Sequence, residues 1–372
     1  MTTGRDEPRV LEARLGAQLL QGGSSRSPAT VVSRLLALQA QDLASGLWAI
    51  GVRSPGSTLA EVLGALEDGS VVRSWPMRGT LHLVAAEDLG WILALGVPRV
   101  RSTIAARHRQ LELDAETFAR SRDITEAMLG GGRRAGRDEL LAAHTAAGIP
   151  ITGQRGSHLL MELAMSGVVC WGPPSGKQQS LVLTEEWIHS PRTLEPDEAL
   201  GEFVVRYLAG HGPATVADVT WWSKLTVAQV KRGLDIAGDR VEEREWHGVP
   251  LWSTAETETV SAPRPTGAPS VLALPGFDEL LLGYRGRGLS LPTEYAERVA
   301  PGANGIFLPM ITVDGRIVGT WRRRIGPKTV TITPEPFAPL GRRVEAGFRR
   351  AVTSYGRFLG LPVELVDPTA SD

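Results

Sequence analysis

The sequence predicts a helix-rich α+β protein, with three successive helical units each closed by a two-stranded hairpin, then a β-rich C-terminal unit. Three observations lead there. Apolar residues recur at helical spacing and then switch to alternation, three times in succession. A Pro/Ser/Thr/Gly-rich stretch, STAETETVSAPRPTGAPS at 253–270, marks a linker after the third switch. Beyond it, alternating residues flank Asp314-Gly315, a two-residue hairpin signal. A chain of 372 residues is long enough for two to four domains. The expected boundaries are 1–110, 111–192, 193–266 and 267–372.

The first unit opens with a helix carrying Leu11, Leu15 and Leu19. Ser27-Pro28 is an N-cap and N1 pair for a second helix, expected to contain Gln39 and Gln41 and to end near Asp42. Thr58 and Glu61 have capping-box spacing for a third, with Leu59, Val62, Leu63 and Leu66 inward. SVVRSWPMRGTLHLV, 70–84, reads as the hairpin.

The second unit is the clearest copy. Asp114 caps a helix to about Gly130, with Phe118, Thr125 and Met128 on one stripe. RDELLAAHTAAG gives a second helix ending at Gly148, and a third runs from about Gln154 to Gly167. VVCW and SLVL flank the turn-rich GPPSGK as a hairpin. In the third unit Pro196 starts a helix with Leu200, Phe203, Val204, Tyr207 and Leu208 on one face. TVADVTWW is a short helix, and Thr226-Val-Ala-Gln229 caps the next, which carries Lys231 and Arg232 where a recognition helix needs them. REWHGVPLW turns at His247-Gly248. Helices followed by a hairpin form the winged-helix arrangement, a helix-turn-helix variant. The fourth unit holds FLPMITVDGRIVGTWRRR, the strand KTVTITPEPF and a helix from about Pro339 to Leu359.

Bulk properties exclude several classes. The single cysteine, Cys170, rules out a disulfide framework and a cysteine-rich metal site. No apolar run approaches the ~18 residues that span a bilayer, and MTTGRDEPRV lacks a signal-peptide pattern, so a cytoplasmic, nucleoid-associated location without membrane contact is expected. A net charge of −1 excludes a uniformly basic nucleic-acid binder. The arginines are nonetheless grouped, at 99–109, 133–137, 322–324 and 342–350. Arginine forks match phosphate oxygens, although a GC-rich genome also favours arginine.

Gln39 and Gln41 are the anomaly, two amides inside the apolar LLALQAQD. On a helix, residues two apart point about 200° from each other. The amides converge on one site only if the helix ends or distorts there. Otherwise one is buried against backbone groups and the other solvated.

LLALQAQD (35–42), VRSWPMRGTLHLV (72–84), LPGFDELLLGYRGR (274–287) and DGRIVGTWRR (314–323) resemble the AlkZ-like/YcaQ-like family of bacterial winged-helix DNA glycosylases. The resemblance covers nearly the whole chain. It implies three tandem winged helices and a β domain around a C-shaped, DNA-sized cleft. It also implies a catalytic Gln-x-Gln, matched by Gln39-Ala40-Gln41. The implied activity is hydrolysis of the N-glycosidic bond of cationic N7-alkylguanine-type lesions, with interstrand crosslinks among the candidates, in double-stranded DNA. No metal, cofactor or obligate protein partner is expected. A bifunctional enzyme needs a nucleophilic amine. Lys177, Lys224, Lys231 and Lys328 adjoin no catalytic-looking motif, so a monofunctional enzyme is expected.

Candidate DNA contacts are Arg78, His82, Lys231, Arg232, Arg322, Arg323 and Arg324. The 70–84 hairpin either lines the lesion site, with Arg78 on phosphate and His82 near the glutamines, or packs on its own core. The run at 322–324 either grips DNA or is a solvated strand edge. Asp278 is a helix cap or a supporting group for the site. Two other readings stay open: a non-catalytic winged-helix regulator that selects a DNA sequence, and a protein-interaction scaffold.

Overall fold

The structure, a computed structural model, describes residues 7–21, 24–175, 178–254 and 269–366. Most of the expected linker, the tip residues Gly176 and Lys177, and the first six residues lie outside the described residues.

The first unit contains α1 (Glu7–Ala17), α2 (Pro28–Leu35), β1 (Leu38–Gln39), α3 (Leu43–Gly51), α4 (Leu59–Glu67), β2 (Val71–Met77) and β3 (Thr80–Ala85). Ser27 caps α2 by accepting from Thr30 N, and Thr58 and Glu61 form the expected capping box on α4. One expectation is corrected here. The glutamines are not helical: α2 stops at Leu35, and Leu36 adopts a left-handed φ of 64°. Leu35 to Leu38 are all buried. A surface helix buries one stripe only, so this continuous run leaves the helix and enters a sheet. Downstream, α3 is an additional helix. Its Trp48 indole donates to Ala273 O at 2.8 Å, pinning it to the C-terminal unit.

An unexpected long helix, α5 (Leu89–Gln110), joins the first two units despite Pro98 in its interior. Proline removes a helical hydrogen bond, while Trp91, Ile92, Val97 and Val100 of the same helix are buried in the core. The second unit follows expectation: α6 (Ala115–Leu129), α7 (Arg137–Ala146), α8 (Arg155–Met165), β4 (Val169–Ser175), β5 (Gln178–Leu183) and a short α9 (Thr184–Trp187). So does the third: α10 (Pro196–His211), α11 (Val216–Ser223), α12 (Val227–Ala237), β6 (Glu242–Trp246) and β7 (Val249–Ser253). His247 and Gly248 make the turn with φ of 50° and 75°. The fourth unit comprises β8 (Val271–Leu274), α13 (Glu279–Leu282), α14 (Ala296–Val299), β9 (Met310–Val313), β10 (Arg316–Ile325), β11 (Val330–Pro336), α15 (Arg342–Leu359) and β12 (Val363–Leu365). Asp314 and Gly315 form its left-handed turn.

The hairpins of the first two units are not separate wings. They merge in one five-stranded sheet, ordered β1-β3-β2-β4-β5, with Arg73 opposite Trp171 at the junction. Sheet pairing therefore crosses the expected boundary after residue 110. The C-terminal sheet is ordered β12-β11-β10-β9-β8, and β6-β7 stands alone. One apolar core spans Val31, Val32, Trp48 and Ile50 of the first unit and Ile311, Trp321, Tyr355 and Phe358 of the fourth. The two ends of the chain thus share a core, which brings α13 up beside β1. Among the described residues no helix is long and apolar enough to cross a membrane.

Candidate active site

Extended backbone resolves the geometry of the two glutamines. Gln39 pairs with His82 in the sheet, and Ala40 N donates to Leu81 O at 2.8 Å. Alternate residues of an extended chain face opposite sides. Ala40 is fully buried and backs onto Gly46 of α3, where an added Cβ would lie 2.7 Å from its own. The residues flanking it consequently share the other side. Gln39 is half-buried and Gln41 exposed. Arg73 holds the turn that follows, donating to Ala40 O at 2.9 Å and Gln41 O at 3.2 Å. Burial pushes the Arg73 guanidinium down to about 10, against a smaller opposing pull from Asp42.

Both amides are oriented by groups that only donate. Arg78 Nη2 donates to Gln39 Oε1 at 2.9 Å, and Leu81 N donates to Gln41 Oε1 at 3.1 Å. Guanidinium and backbone N–H cannot accept, so neither amide can flip without losing its bond. Each carbonyl oxygen keeps a second lone pair.

Arg78 occupies the two-residue turn between β2 and β3. It has φ 58° and Gly79 has φ 68°. A non-glycine residue there costs on the order of 1–2 kcal/mol. The turn folds the guanidinium back onto the protein, leaving its side chain 7 % exposed. Besides Gln39 it meets His82 Nε2 at 2.8 Å. His82 Nδ1 donates to Thr80 O at 2.9 Å, so Nε2 is the acceptor. Burial first, and the Arg78 charge second, push His82 down to about 3, so the ring is neutral. His82 is fully buried: the structure puts it near the glutamines, as anticipated, but beneath the surface, where it steadies Arg78.

The sequence reading passed over Glu279, which lies under Gln39. Its side chain is 1 % exposed. Oε1 accepts from Gln39 N at 3.3 Å and lies 4.0 Å from Arg78 Nη2. Oε2 accepts from Trp222 Nε1 at 2.7 Å and lies 3.4 Å from His211 Nε2. Burial alone would push the carboxyl up. His211, Arg78 and Trp222 outweigh it and hold the group at about 2, ionised. The neighbouring Asp278 caps α13 through Leu280 N and forms a two-point ion pair with Arg53 at 2.8 and 2.9 Å. The signal for Glu279 was available: an acid directly before three leucines in FDELLLGY.

The remaining candidates are spread out. Lys231 is exposed, and Arg232 is exposed and paired with Asp197 at 2.6 Å. Arg322 is exposed and pairs with Glu335 at 2.5 Å, and Arg324 is exposed. Arg323 alone approaches the motif, meeting Asp42 at 3.3 Å. Lys224, which the sequence set apart from any motif, lies with Arg78 around Trp221.

Comparison with known proteins shows which family the chain resembles. The profile of the family described as "DNA glycosylase AlkZ-like" matches residues 32–358. The chain is 28 % identical over 354 residues to the "Interstrand DNA cross-link repair glycosylase" of Streptomyces sahachiroi, covering 88 % of this chain and 90 % of that one. It superposes on the solved structure of Streptomyces sahachiroi DNA glycosylase AlkZ with a TM-score of 0.79 at 25 % identity, over 96 % of this chain and 99 % of that one.

Proposed function

The chain belongs to the AlkZ-like DNA glycosylase family, and from that premise we propose a monofunctional enzyme that releases cationic N7-alkylguanine-type bases, with Gln39 and Gln41 positioning the attacking water. The observation that carries this is the pair itself: two amides where β1 ends, their carbonyls fixed by Arg78 and Leu81 N. Family membership makes the chain a DNA glycosylase, an enzyme that hydrolyses N-glycosidic bonds, and sets aside the regulator and scaffold readings.

The chemistry suits uncharged amides. Alkylation at N7 leaves guanine cationic, so the bond to C1′ is already weakened and the base departs neutral with the bonding electron pair. No strong acid is needed to protonate it. The free lone pairs on the two carbonyl oxygens accept from water and face the positive charge that develops on the sugar. The water oxygen bonds to C1′ and its proton passes to solvent, leaving an abasic site. Glu279 balances the charge of Arg78, so the group that holds Gln39 adds no net positive charge against a cationic base. Crosslinked and other bulky N7 adducts belong to the proposed range, because Gln41 is exposed and the pair lies at the surface. The name of the Streptomyces relative points the same way.

The test is base release from a duplex carrying one N7-methylguanine, read as strand scission after alkali. Wild type should release the base, and the Gln39→Ala/Gln41→Ala double variant should bind the duplex without releasing it. Borohydride added to the wild-type reaction should trap no protein–DNA adduct. Equal release by both proteins would refute the assignment of the glutamines, and a trapped adduct would refute the monofunctional reading.

A further inference from the structure

Around Trp221, together with the Arg78 that holds Gln39, lie two cations that the reaction above does not use. Trp221, half-buried at the end of α11, is their common surface. Lys224 caps that helix in a left-handed conformation, φ 64°, and its Nζ lies 5.2 Å from the Trp221 ring centre. Arg287 comes from the loop after α13. Its guanidinium sits 5.1 Å from Trp221 and 4.9 Å from Phe307, between the two rings. Arg78 completes the set at 6.0 Å.

Three like charges around one indole repel each other. Arg78 has Glu279 as counter-charge. Among the described residues no carboxylate lies within ion-pair distance of Lys224 or Arg287. Burial, and then the charge of Arg78, push both groups down. The buried Nε of Arg287 has no hydrogen-bond partner. The mount is nevertheless stiff: Asp218 accepts from Arg285 N at 2.9 Å and Gly286 N at 3.3 Å, and is itself held by Thr215. A fixed cluster of unbalanced cations with an unused donor is built for an anion.

We infer that Lys224 and Arg287, mounted on Trp221, bind one phosphodiester of the substrate strand next to the lesion and so hold the deoxyribose against Gln39 and Gln41. This rests on the proposed role of the glutamines. A phosphodiester supplies the negative charge these cations lack, while the indole offers an apolar surface to the sugar. Arg78 is committed to Gln39 and His82, which leaves the other two cations for the anion. Lys224 thereby acts as a phosphate ligand, not as a nucleophile.

The experiment uses the full chain and a duplex with one 2′-fluoro-N7-methylguanosine, whose glycosidic bond resists hydrolysis. Single methylphosphonates replace, in turn, the three linkages on either side of the lesion. Dissociation constants are measured for wild type, Lys224→Ala and Arg287→Met, the last keeping an apolar stem between the rings. One neutral linkage should weaken wild-type binding on the order of tenfold. At that linkage alone, each variant should lose less affinity than wild type does, because one of its two cations is already gone. Each variant should also lower the slope of log affinity against log salt by about one. Unchanged affinity and slope in both folded variants would overturn the inference, as would losses that add to the variants' own at every linkage. Base release by wild type from the unfluorinated duplex is scored separately. Its absence would refute the proposed function without altering what the binding data say about the phosphate.

Discussion

Two neighbouring acids, Asp278 and Glu279, are both buried and both face an arginine, yet they are different devices. Asp278 meets Arg53 through two short bonds, and both side chains are fully buried. Arg53 also donates to Gln18 and to Ala49 O. That pair is closed and locks α13 to α3. Glu279 meets Arg78 only at 4.0 Å and spreads its remaining capacity over Trp222 and Gln39 N. Arg78 in turn shares its donors between Gln39 and His82. The closed pair fixes position, whereas the open one transmits position to an amide at the surface. Proximity in sequence puts the two in register: a residue that locks the helix stands next to one that holds the backbone of Gln39 in the candidate site.

The contrast predicts a ranked set of losses. Arg53→Met leaves a carboxylate buried without its partner and should cost about 3–5 kcal/mol of stability, read from the urea midpoint. A loss under about 1 kcal/mol would mean that Asp278 is not held as described. Glu279→Gln keeps the shape and removes the charge. Its stability cost should be smaller, at most about 3 kcal/mol from the held-down carboxyl. Single-turnover base release should nevertheless fall on the order of a hundredfold, because a small displacement of Gln39 is enough. Turnover equal to wild type would make Glu279 as purely structural as its neighbour.

The smallest effect concerns His82 and pH. An ordinary histidine takes up a proton near 6.5, while His82 in the fold stays neutral down to about 3. Between those values the unfolded chain binds the extra proton, so stability is complete above pH 6.5 and falls as pH drops. The slope is up to about 1.4 kcal/mol per pH unit, or about 2 kcal/mol between pH 6.5 and 5. Glu279 adds its own loss only as pH falls from 4.5, its ordinary value, through about 2. Wild type should therefore lose more stability than His82→Gln between pH 7 and 5. Equal losses would show that His82 titrates normally.

The three helix–hairpin units were legible because they rest on local chemistry. The caps at Ser27, Thr58, Asp114 and Thr226 and the turns at His247-Gly248 and Asp314-Gly315 each announce themselves over a few residues. The candidate site was legible in part, as two amides out of place. Its geometry was not, since the helix ends at Leu36, a residue with no preference for the left-handed region it adopts. Long-range pairing was invisible as well. Nothing local tells β2 to pair with β4, or Glu279 to reach a strand 240 positions earlier. No element was expected over 89–110, where α5 holds Pro98 in its interior.

The shared sheet has a consequence for anyone who would treat the chain as modular. A junction cut at residue 110 severs β2 from β4 and opens two strand edges, an invitation to aggregation. A cut beyond β5 spares that sheet but discards Trp222, Lys224, Glu279 and Arg287. Shuffling between relatives will therefore work by exchanging surface residues on an intact chain, and the smallest portable unit that keeps this candidate site is very nearly all of the described residues.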